Sequence, residues 1–367
     1  MTYPRMKNMA KILVEYSTKV RPGDWVVINA DPFAMDLARE TAAMATKAGG
    51  NVTCLMRDRT FWEILYKYGS DEQLKWFDPI YDLVIRKADV YIVMIAPENT
   101  RTLAAVDSAK QALTAQAERE FYEIYIKRSA SGELRWNVTQ APCPALAQEA
   151  DMSLADFEDF VYAATFADQE DPVACWQKVE EDQDRLVRWL VGKKEIKIKT
   201  PKADLTLSVD GRPFINSTGT FNLPSGEIFT SPVEDSANGW VEFTYPAVDQ
   251  GREVEGVNLE FEHGKVVRAS AVKNEDFLLE MLDVDEGARF LGELGIGTNY
   301  GIQRFTKSIL FDEKIGGTFH LALGFGFPEC NSKNHSAIHW DLISDARDGG
   351  QMWADGLLFY KDGKFII

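Results

Sequence analysis

The hydrophobic pattern of this chain changes near Gly192, and that change constrains the fold more than any other feature. Before it, short continuous apolar runs such as Val90–Ala96 alternate with helical stretches such as Phe33–Ala48. Continuous apolar strands flanked by helices are typical of parallel sheets covered on both faces. After it, apolar and polar residues alternate with period two, as in Ile196–Lys199 and Leu205–Val209. This alternation is typical of strands that bury only one face.

The two patterns predict two domains. The first is an α/β domain with a parallel, doubly wound sheet over residues 1–191, and the second is a strand-rich α+β domain over residues 192–367. The length of 367 residues agrees with this division, because a domain has about 150 residues. Near the end of the first domain, Ser153 is predicted to cap a helical stretch that runs to Leu190.

The first predicted strand, Asp24–Asn29, is not followed by a phosphate-binding loop. The next residues, Ala30-Asp31-Pro32, contain no glycine and place an acidic residue where a pyrophosphate would sit. The segment Gly295–Gly301 has one residue too many for the G-x-G-x-x-G fingerprint and does not follow a first strand. Dinucleotide binding is therefore excluded, and the first domain is interpreted as a scaffold.

The charge of the chain limits its partners. The sequence has 40 Lys and Arg residues against 57 Asp and Glu residues, a formal net charge of −17. Phosphate contacts need a basic stripe, so nucleic acid is not expected as a partner, and an anionic membrane surface is equally unsuitable. A negative field favours cations, either metal ions or the protonated amino group of a substrate.

The spacing of the cysteines and the length of the apolar stretches indicate the cellular compartment of the protein. The four cysteines form no C-x-x-C pair, so neither a disulfide framework nor a zinc ribbon is expected. The longest apolar stretches are too short to span a bilayer, and no signal peptide is visible at the N-terminus. We therefore expect a cytoplasmic protein.

The triplet His339-Trp340-Asp341 is the first candidate functional motif. In an extended strand, alternate side chains share a face, so His339 and Asp341 would point the same way and Trp340 the other. An imidazole and a carboxylate that converge on one point can hold a divalent cation. His320 could supply a third ligand from a neighbouring strand. The alternative is a pair of hydrogen-bonded, partly buried polar residues.

The other histidines and several carboxylates add to this candidate site. His263 is interpreted as a turn residue, and His335 as a substrate contact or a solvated side chain. Glu227, Glu293 and Glu313 lie among apolar residues or glycines. Burying an unpaired carboxylate costs several kcal/mol, so each needs a cation or a donor. The alternative to a metal is an ion pair with an arginine such as Arg304.

Five sequence blocks resemble one family of proteins. Asn222–Pro232 is similar to the N-x-P-x-G-E-[VI]-[FY]-T-x-P segment of the aminopeptidase T family of metallopeptidases, which includes aminopeptidases S, T and II. The remaining blocks follow in the same order as in that family, namely Asp285–Glu293, Phe311–Glu313, His320–Gly324 and Ile338–Asp341. Similarity in the first half, as in Glu158–Tyr162, extends the resemblance to essentially the whole chain.

The resemblance implies an aminopeptidase that uses two divalent cations, Zn, Co or Mn, to hydrolyse the N-terminal peptide bond of small peptides. The cations would activate a shared water, and Glu293 would bridge them. The resemblance also implies an N-terminal α/β domain, a metal-bearing C-terminal domain and a homodimer with an internal cavity. Glu227 and Glu313 are the candidates for the general base. Carried over block by block, the implied metal ligands are Glu227, Glu293, Glu313, His320, His339 and Asp341.

One position departs from the family. The family has a catalytic tyrosine seven residues after the histidine of the H-L-A-L-G block, and that position here is Phe327. A phenyl ring cannot donate a hydrogen bond to an oxyanion. Removing one such donor typically lowers the rate by about 10²–10³. Tyr300 and His335 are the candidates to replace it.

Two other functions agree with parts of the same pattern. His320, His339 and Asp341 could form the facial triad of a non-haem Fe(II) oxygenase, and ring-cleaving dioxygenases of dihydroxypyridines resemble relatives of this fold. A third hypothesis is a binding protein that keeps the peptidase scaffold and has lost its metals.

Overall fold

The computed structural model of the protein describes residues 2–249 and 252–367, and the chain forms two compact units. The first unit contains the chain up to Trp176 together with Gly219–Pro224. The second contains Gln177–Thr218 and Ser225–Ile367. The domain boundary predicted near residue 192 falls after Trp176, where the first stretch of the first unit ends. It remains a prediction.

The helices and strands follow one another in a defined order. Along the chain they are α1 (Thr2–Lys11), β1 (Trp25–Ala30), α2 (Met35–Lys47), β2 (Asn51–Met56), α3 (Arg59–Tyr68), α4 (Asp71–Leu74), α5 (Pro79–Lys87), β3 (Val90–Ile95), α6 (Ser108–Ala130), β4 (Arg135–Gln140), α7 (Pro144–Glu149), α8 (Leu154–Ala164), α9 (Pro172–Leu190), β5 (Glu195–Thr200), β6 (Ala203–Ser208), β7 (Ile215–Ser217), β8 (Asn222–Leu223), β9 (Glu227–Thr230), β10 (Asn238–Glu242), β11 (Ala247–Asp249), β12 (Arg252–Val254), β13 (Asn258–Glu262), β14 (Lys265–Ser270), α10 (Glu275–Leu282), β15 (Leu291–Gly297), α11 (Ile309–Asp312), β16 (Thr318–Gly324), β17 (His339–Asp345), β18 (Gln351–Ala354), β19 (Leu357–Lys361) and β20 (Lys364–Phe365).

The first unit is built on a parallel sheet. Its strands lie in the order β2-β1-β3-β4-β8, and all of these neighbours pair in parallel. The apolar runs of β1 and β3 are almost entirely buried. From β1 the chain passes to β2 on one side and then to β3 on the other, which is the doubly wound arrangement. The predicted α/β class of this half is confirmed.

The helical stretch predicted from Ser153 to Leu190 is interrupted. The Ser153 hydroxyl accepts a hydrogen bond from the backbone N–H of Asp156 and caps α8, as predicted. That helix ends before Phe166, whose φ of 57° is left-handed and cannot continue an α-helix. A new helix, α9, begins at Pro172, because proline at the first position of a helix lacks only an N–H that would be unpaired there.

Two antiparallel sheets form the second unit. Their strand orders are β14-β13-β10-β6-β5-β18-β19-β20 and β17-β16-β15-β9-β7, and β11 pairs with β12 in a separate ribbon. The turn predicted at His263 is present, with a φ of 48° at that residue. The strand-rich character predicted for the second half is confirmed.

A single hydrophobic cluster connects the two sheets of the second unit. Leu294, Leu321 and Trp340 project into it from the β17-β16-β15-β9-β7 sheet, and Ile198 and Leu205 project into it from the other. Trp340 is thereby turned into the core, as the alternation around His339 and Asp341 predicts. The opposite face of the β17-β16-β15-β9-β7 sheet is left for polar side chains.

Within residues 2–249 and 252–367, no helix is both long enough and apolar enough to cross a bilayer.

Candidate metal centre

The strand register brings the predicted site residues to one face of the β17-β16-β15-β9-β7 sheet. His320 of β16 lies opposite Gly295 of β15, and Glu227 of β9 lies opposite Gly297. Residues directly opposite each other in antiparallel strands share a face. Since alternate residues of one strand also share a face, the register places five of the six implied ligands together: Glu227 on β9, Glu293 on β15, His320 on β16, and His339 and Asp341 on β17.

Gly295 makes room for the His320 ring. A Cβ atom at Gly295 would lie 2.0 Å from Cε1 of His320, so no other residue fits here without moving the imidazole. A β-bulge between Leu291 and Glu293 shifts the register of β15 against β16. Such a bulge re-aims the side chain next to it. Gly295 thus leaves space for the imidazole between β15 and β16, which are buried along their whole length.

Glu293 lies between the two histidines. Its Oε1 is 3.4 Å from Nε2 of His320, and its Oε2 is 3.2 Å from Nε2 of His339. Nε2 of His320 is also 3.5 Å from Oε2 of Glu227, and Nε2 of His339 is 3.5 Å from Oδ1 of Asp341. Each carboxylate oxygen of Glu293 thus faces a separate imidazole–carboxylate pair.

The orientation of His339 is fixed by the backbone. Its Nδ1 lies 2.8 Å from the carbonyl oxygen of Phe325, and because a carbonyl can only accept, Nδ1 carries the proton. In a neutral ring Nε2 then presents a lone pair to the carboxylates of Glu293 and Asp341. This contact is repulsive unless a cation lies between the groups or the ring is protonated. Histidines that bind metals usually donate their other ring N–H to a backbone carbonyl or a carboxylate in this way.

Without a cation, the electrostatics of these groups favour protonated histidines. Burial would lower the pKa of His320, but Glu293 and then Glu227 raise it to about 9. Burial alone would raise the pKa of Glu293, whereas its hydrogen bonds with His320 and His339 hold that pKa below its ordinary value. The pKa of Asp341 falls to about 2, because the His339 charge outweighs the effect of burial. The carboxylates of the site therefore stabilise positive charge placed among them, here on the imidazole rings.

Several buried polar atoms of these residues make no hydrogen bond within the described part of the chain. Oε2 of Glu227, Oδ1 of Asp341 and Nδ1 of His320 are buried and make no hydrogen bond there. Buried polar atoms are rarely left unpaired in native proteins, and the exceptions often mark a missing ion or water. This donor set of carboxylate oxygens and imidazole nitrogens fits a divalent cation.

Lys314 is the site residue that sequence reasoning missed. Its ammonium group is completely buried, lies 3.4 Å from Oε1 of Glu227 and forms an ion pair with Glu313. Burial would lower the pKa of Lys314, but these two carboxylates raise it. Arg304, the cation considered from the sequence, is exposed. The available signal was a lysine next to Glu313 in a short charged stretch with apolar residues on both sides, Leu310 and Phe311 before it and Ile315 after it.

Glu313 reaches the site from a turn rather than a strand. It follows α11 directly and can share a cation with His320 and Asp341, since ligand atoms of all three lie within 4.8 Å of one another. Burial raises the pKa of Glu313 to about 8, in spite of the neighbouring Lys314. All six predicted ligand residues are therefore close together.

Phe327 lies next to this cluster. The centroid of its ring is 5.1 Å from that of His339 and 5.4 Å from that of Phe229. The candidates to replace a tyrosine hydroxyl are placed differently. The Tyr300 hydroxyl donates to the carbonyl of Gly363 at 2.9 Å, and His335 is exposed. The aromatic position is therefore occupied at the site, but without a hydroxyl.

We expect Lys314→Met to destabilise the metal-free protein by about 3–5 kcal/mol, because it leaves Glu227 and Glu313 buried without their cation. The loss should be smaller when divalent cations are bound, since they replace the missing charge. Urea unfolding with and without a chelator measures both values. Lys202→Met is the matched control, because Lys202 forms an exposed pair with Glu242 of little energetic value. Equal losses in the two variants would contradict this role of Lys314.

The fold and the site together define a two-unit protein with a candidate metal centre on one face of an antiparallel sheet. Comparison with known proteins identifies the family. The model of the thermophilic metalloprotease family (M29) matches residues 2–365, and the chain belongs to this family.

Named relatives are similar over almost the whole chain. Aminopeptidase 2 of Geobacillus stearothermophilus is 26% identical, with 98% of this chain and 95% of that protein covered. Aminopeptidase AmpS of Bacillus subtilis is 25% identical, with 98% and 89% covered. Aminopeptidase T of Thermus thermophilus is 24% identical, with 98% and 95% covered.

A solved structure has the same fold. Wild-type AmpT from Thermus thermophilus superposes with a TM-score of 0.88 at 21% sequence identity, and the match covers 100% of both chains. At this level of identity the likeness establishes the architecture. It supports the α/β first half and the strand-rich second half predicted from the sequence.

Proposed function

We propose that this protein is a metal-dependent aminopeptidase that removes the N-terminal residue of small peptides by means of two divalent cations. The family and the names of its relatives support peptide-bond hydrolysis. The observation that carries the proposal is the Glu293 carboxylate, which faces a different imidazole with each oxygen. The matches to known proteins give no support to the Fe(II) dioxygenase alternative.

The arrangement supports two cations rather than one. Two groups of potential ligands share Glu293: one adds Glu227 and His320, and the other adds His339 and Asp341. In addition, four carboxylates converge on the site, and Lys314 can neutralise only one of them. One dication would leave part of the remaining negative charge uncompensated, whereas two dications would compensate all of it. Zn, Co or Mn suit this mixture of oxygen and imidazole ligands.

The residues of the chain would divide the chemistry between them. The cations supply a Lewis acid and an activated water. Glu227 and Glu313 are the candidate general bases that would pass a proton to the leaving amine. Lys314 contacts both and holds their carboxylates in place. Measuring the metal content of variants separates the role of metal ligand from that of general base. Substituting a ligand should lower the metal content, whereas substituting the general base should lower kcat with the metal retained.

Metal analysis and a peptide substrate test the proposal together. We expect about two equivalents of Zn, Co or Mn per reconstituted chain and release of leucine from a chromogenic leucyl amide. One iron per chain with oxygen uptake on a dihydroxypyridine would instead indicate the dioxygenase. A folded protein that binds no metal and hydrolyses no leucyl amide would leave only a binding function.

An exposed apolar surface on the first unit supports a homodimer. The helix α3 exposes Phe61, Ile64 and Tyr68 at helical spacing, and Tyr122 and Ile126 of α6 are also exposed. The neighbouring segments add further exposed apolar side chains, namely Trp76, Ile80 and Leu83. Exposed apolar patches on this scale usually mark protein interfaces. We propose a second copy of the chain as the partner.

The double substitution Phe61→Glu and Ile64→Glu should convert a dimer of twice 41.3 kDa into a monomer. Two charges would have to be buried in the interface, at a cost of several kcal/mol. Light scattering after size exclusion measures the mass. Val272→Glu is the control, because Val272 is an isolated exposed residue of the second unit. A wild-type protein that is monomeric at micromolar concentration would contradict the proposal.

We also propose that the protein works in the cytoplasm on small peptides. All four cysteines are free, which agrees with a reducing compartment. The net charge of −17 favours substrates with a protonated amino terminus.

A further inference from the structure

The first unit contains a cavity of about 840 Å³ at the carboxyl ends of its parallel strands. Asp31 follows β1, Arg57 and Arg59 follow β2, and Arg101 lies in the segment after β3; all of them line the cavity. The chain reverses its winding direction between β1 and β3. The crevice at such a reversal is the usual ligand-binding position of a doubly wound sheet.

Two of the carboxylates around this cavity are already engaged. Asp58 caps α3 and accepts hydrogen bonds from the backbone N–H of Thr60 at 2.9 Å and from its hydroxyl at 2.7 Å. Glu149 accepts from Arg101 at 2.7 Å and from Thr100 at 2.9 Å. Glu149 is thus paired with Arg101, and within the described residues neither acid forms an ion pair with Arg57 or Arg59.

Arg57 and Arg59 are poorly compensated. The Nε atom of Arg57 is 3.9 Å from Oδ1 of Asp31, which is too far for a hydrogen bond. The Nε atom of Arg59 is buried and makes no hydrogen bond within the described residues. Burial, and then the charge of Arg57, lower the pKa of Arg59 by more than the charge of Asp31 raises it. Two adjacent guanidinium groups in this state favour the binding of an anion.

Asp31 forms part of the cavity floor. Its side chain is 1% exposed, and its Oδ2 accepts a hydrogen bond from the backbone N–H of Ala96 at 2.9 Å. The other oxygen, Oδ1, is buried without a hydrogen bond and faces Arg57. Asp31 therefore links the ends of β1 and β3 and leaves the donors of Arg57 free to contact a ligand.

We propose that this cavity binds the oxyanion group of a small molecule, a carboxylate or a phosphate monoester, between Arg57 and Arg59. A guanidinium group matches the two oxygens of either anion. Glu63 and Glu98 also line the cavity and are exposed. Their charge and the absence of a glycine-rich loop disfavour a polyphosphate, so the ligand carries one oxyanion. The inference concerns the first unit alone and does not depend on the metal centre.

Calorimetric titration of the full-length, metal-loaded protein with acetate and with inorganic phosphate tests the proposal. Arg59→Gln should weaken binding at least about tenfold, as expected for one lost charge-assisted hydrogen bond. The double variant Arg57→Gln with Arg59→Gln should lose one binding event per chain. Anion binding at the metals is common to all variants and cancels in the comparison. Arg119→Gln is the control, because Arg119 is 81% exposed.

The response of the two probes identifies the source of the anion. Saturation by acetate alone assigns a carboxylate ligand, and saturation by phosphate alone assigns a phosphate ester. Equal binding by wild type and double variant, or no binding of either probe, overturns the proposal. If the variants do not fold, modification of the wild type by phenylglyoxal decides: the bound anion should protect Arg57 and Arg59 but not Arg119. Equal modification with and without the anion overturns the proposal.

Discussion

Glu293→Gln is expected to lower kcat/KM by at least about 10³-fold and to remove at least one of the two proposed cations. Each oxygen of Glu293 faces a different histidine, so it is the carboxylate shared by both ligand groups. Glutamine keeps the shape but replaces one anionic oxygen with an amide donor, which cannot coordinate a cation. Elemental analysis after dialysis, combined with steady-state hydrolysis of a leucyl amide, measures both effects.

Glu286→Gln is the control for this experiment. Glu286 is exposed and lies in the same sequence block as Glu293, so the same chemical change should leave metal content and kcat unaltered. Full metal content together with wild-type activity in Glu293→Gln would disprove the bridging role. Loss of activity with both cations retained would instead assign Glu293 to proton transfer.

The second large expected effect is an increase in catalytic rate. Phe327→Tyr should raise kcat by about 10²-fold with little change in KM, because an added oxyanion donor acts in the transition state rather than on bound substrate. The Phe327 ring already lies against His339, so a hydroxyl group on it would be placed at the edge of the candidate metal centre. Steady-state kinetics of the reconstituted variant measures both constants.

Phe325→Tyr is the matched control, since the Phe325 ring lies beside Phe327 with centroids 6.2 Å apart. It adds the same hydroxyl at a neighbouring position and should leave kcat unchanged. A folded Phe327→Tyr protein with wild-type kcat would show that this chain does not lack a catalytic donor there. An equal rise in both variants would show that the effect is not specific to position 327.

Much of the fold follows from local patterns. The apolar runs predicted from the sequence at Asp24–Asn29 and Val90–Ala96 form β1 (Trp25–Ala30) and β3 (Val90–Ile95), two central strands of the parallel sheet. The helical pattern of Ser153–Leu190 does not show the left-handed conformation of Phe166, because no glycine or asparagine marks it. Pro172, the first residue of α9, is the local signal for the break. Ser153, by contrast, caps its helix as expected, since capping depends only on residues three positions apart.

Part of the candidate site could likewise be predicted from the sequence. Period-two alternation alone places His339 and Asp341 on one face, and the family blocks add the remaining carboxylates. The alternation does not show that Lys314 is buried between Glu227 and Glu313. It also does not show that Gly295 is the residue that clears space for His320. Both depend on which strands become neighbours.

The sequence by itself therefore determined the class of each half, the direction in which the site side chains point and the family of the chain. These properties depend on side-chain periodicity and on short ordered blocks, which are local. Only the tertiary structure decided that Glu293 lies between two histidines, that Lys314 is the buried cation, and that Arg57 and Arg59 share a cavity with Asp31. These facts depend on strand register and on packing between segments distant in sequence, and no local pattern fixes those distances.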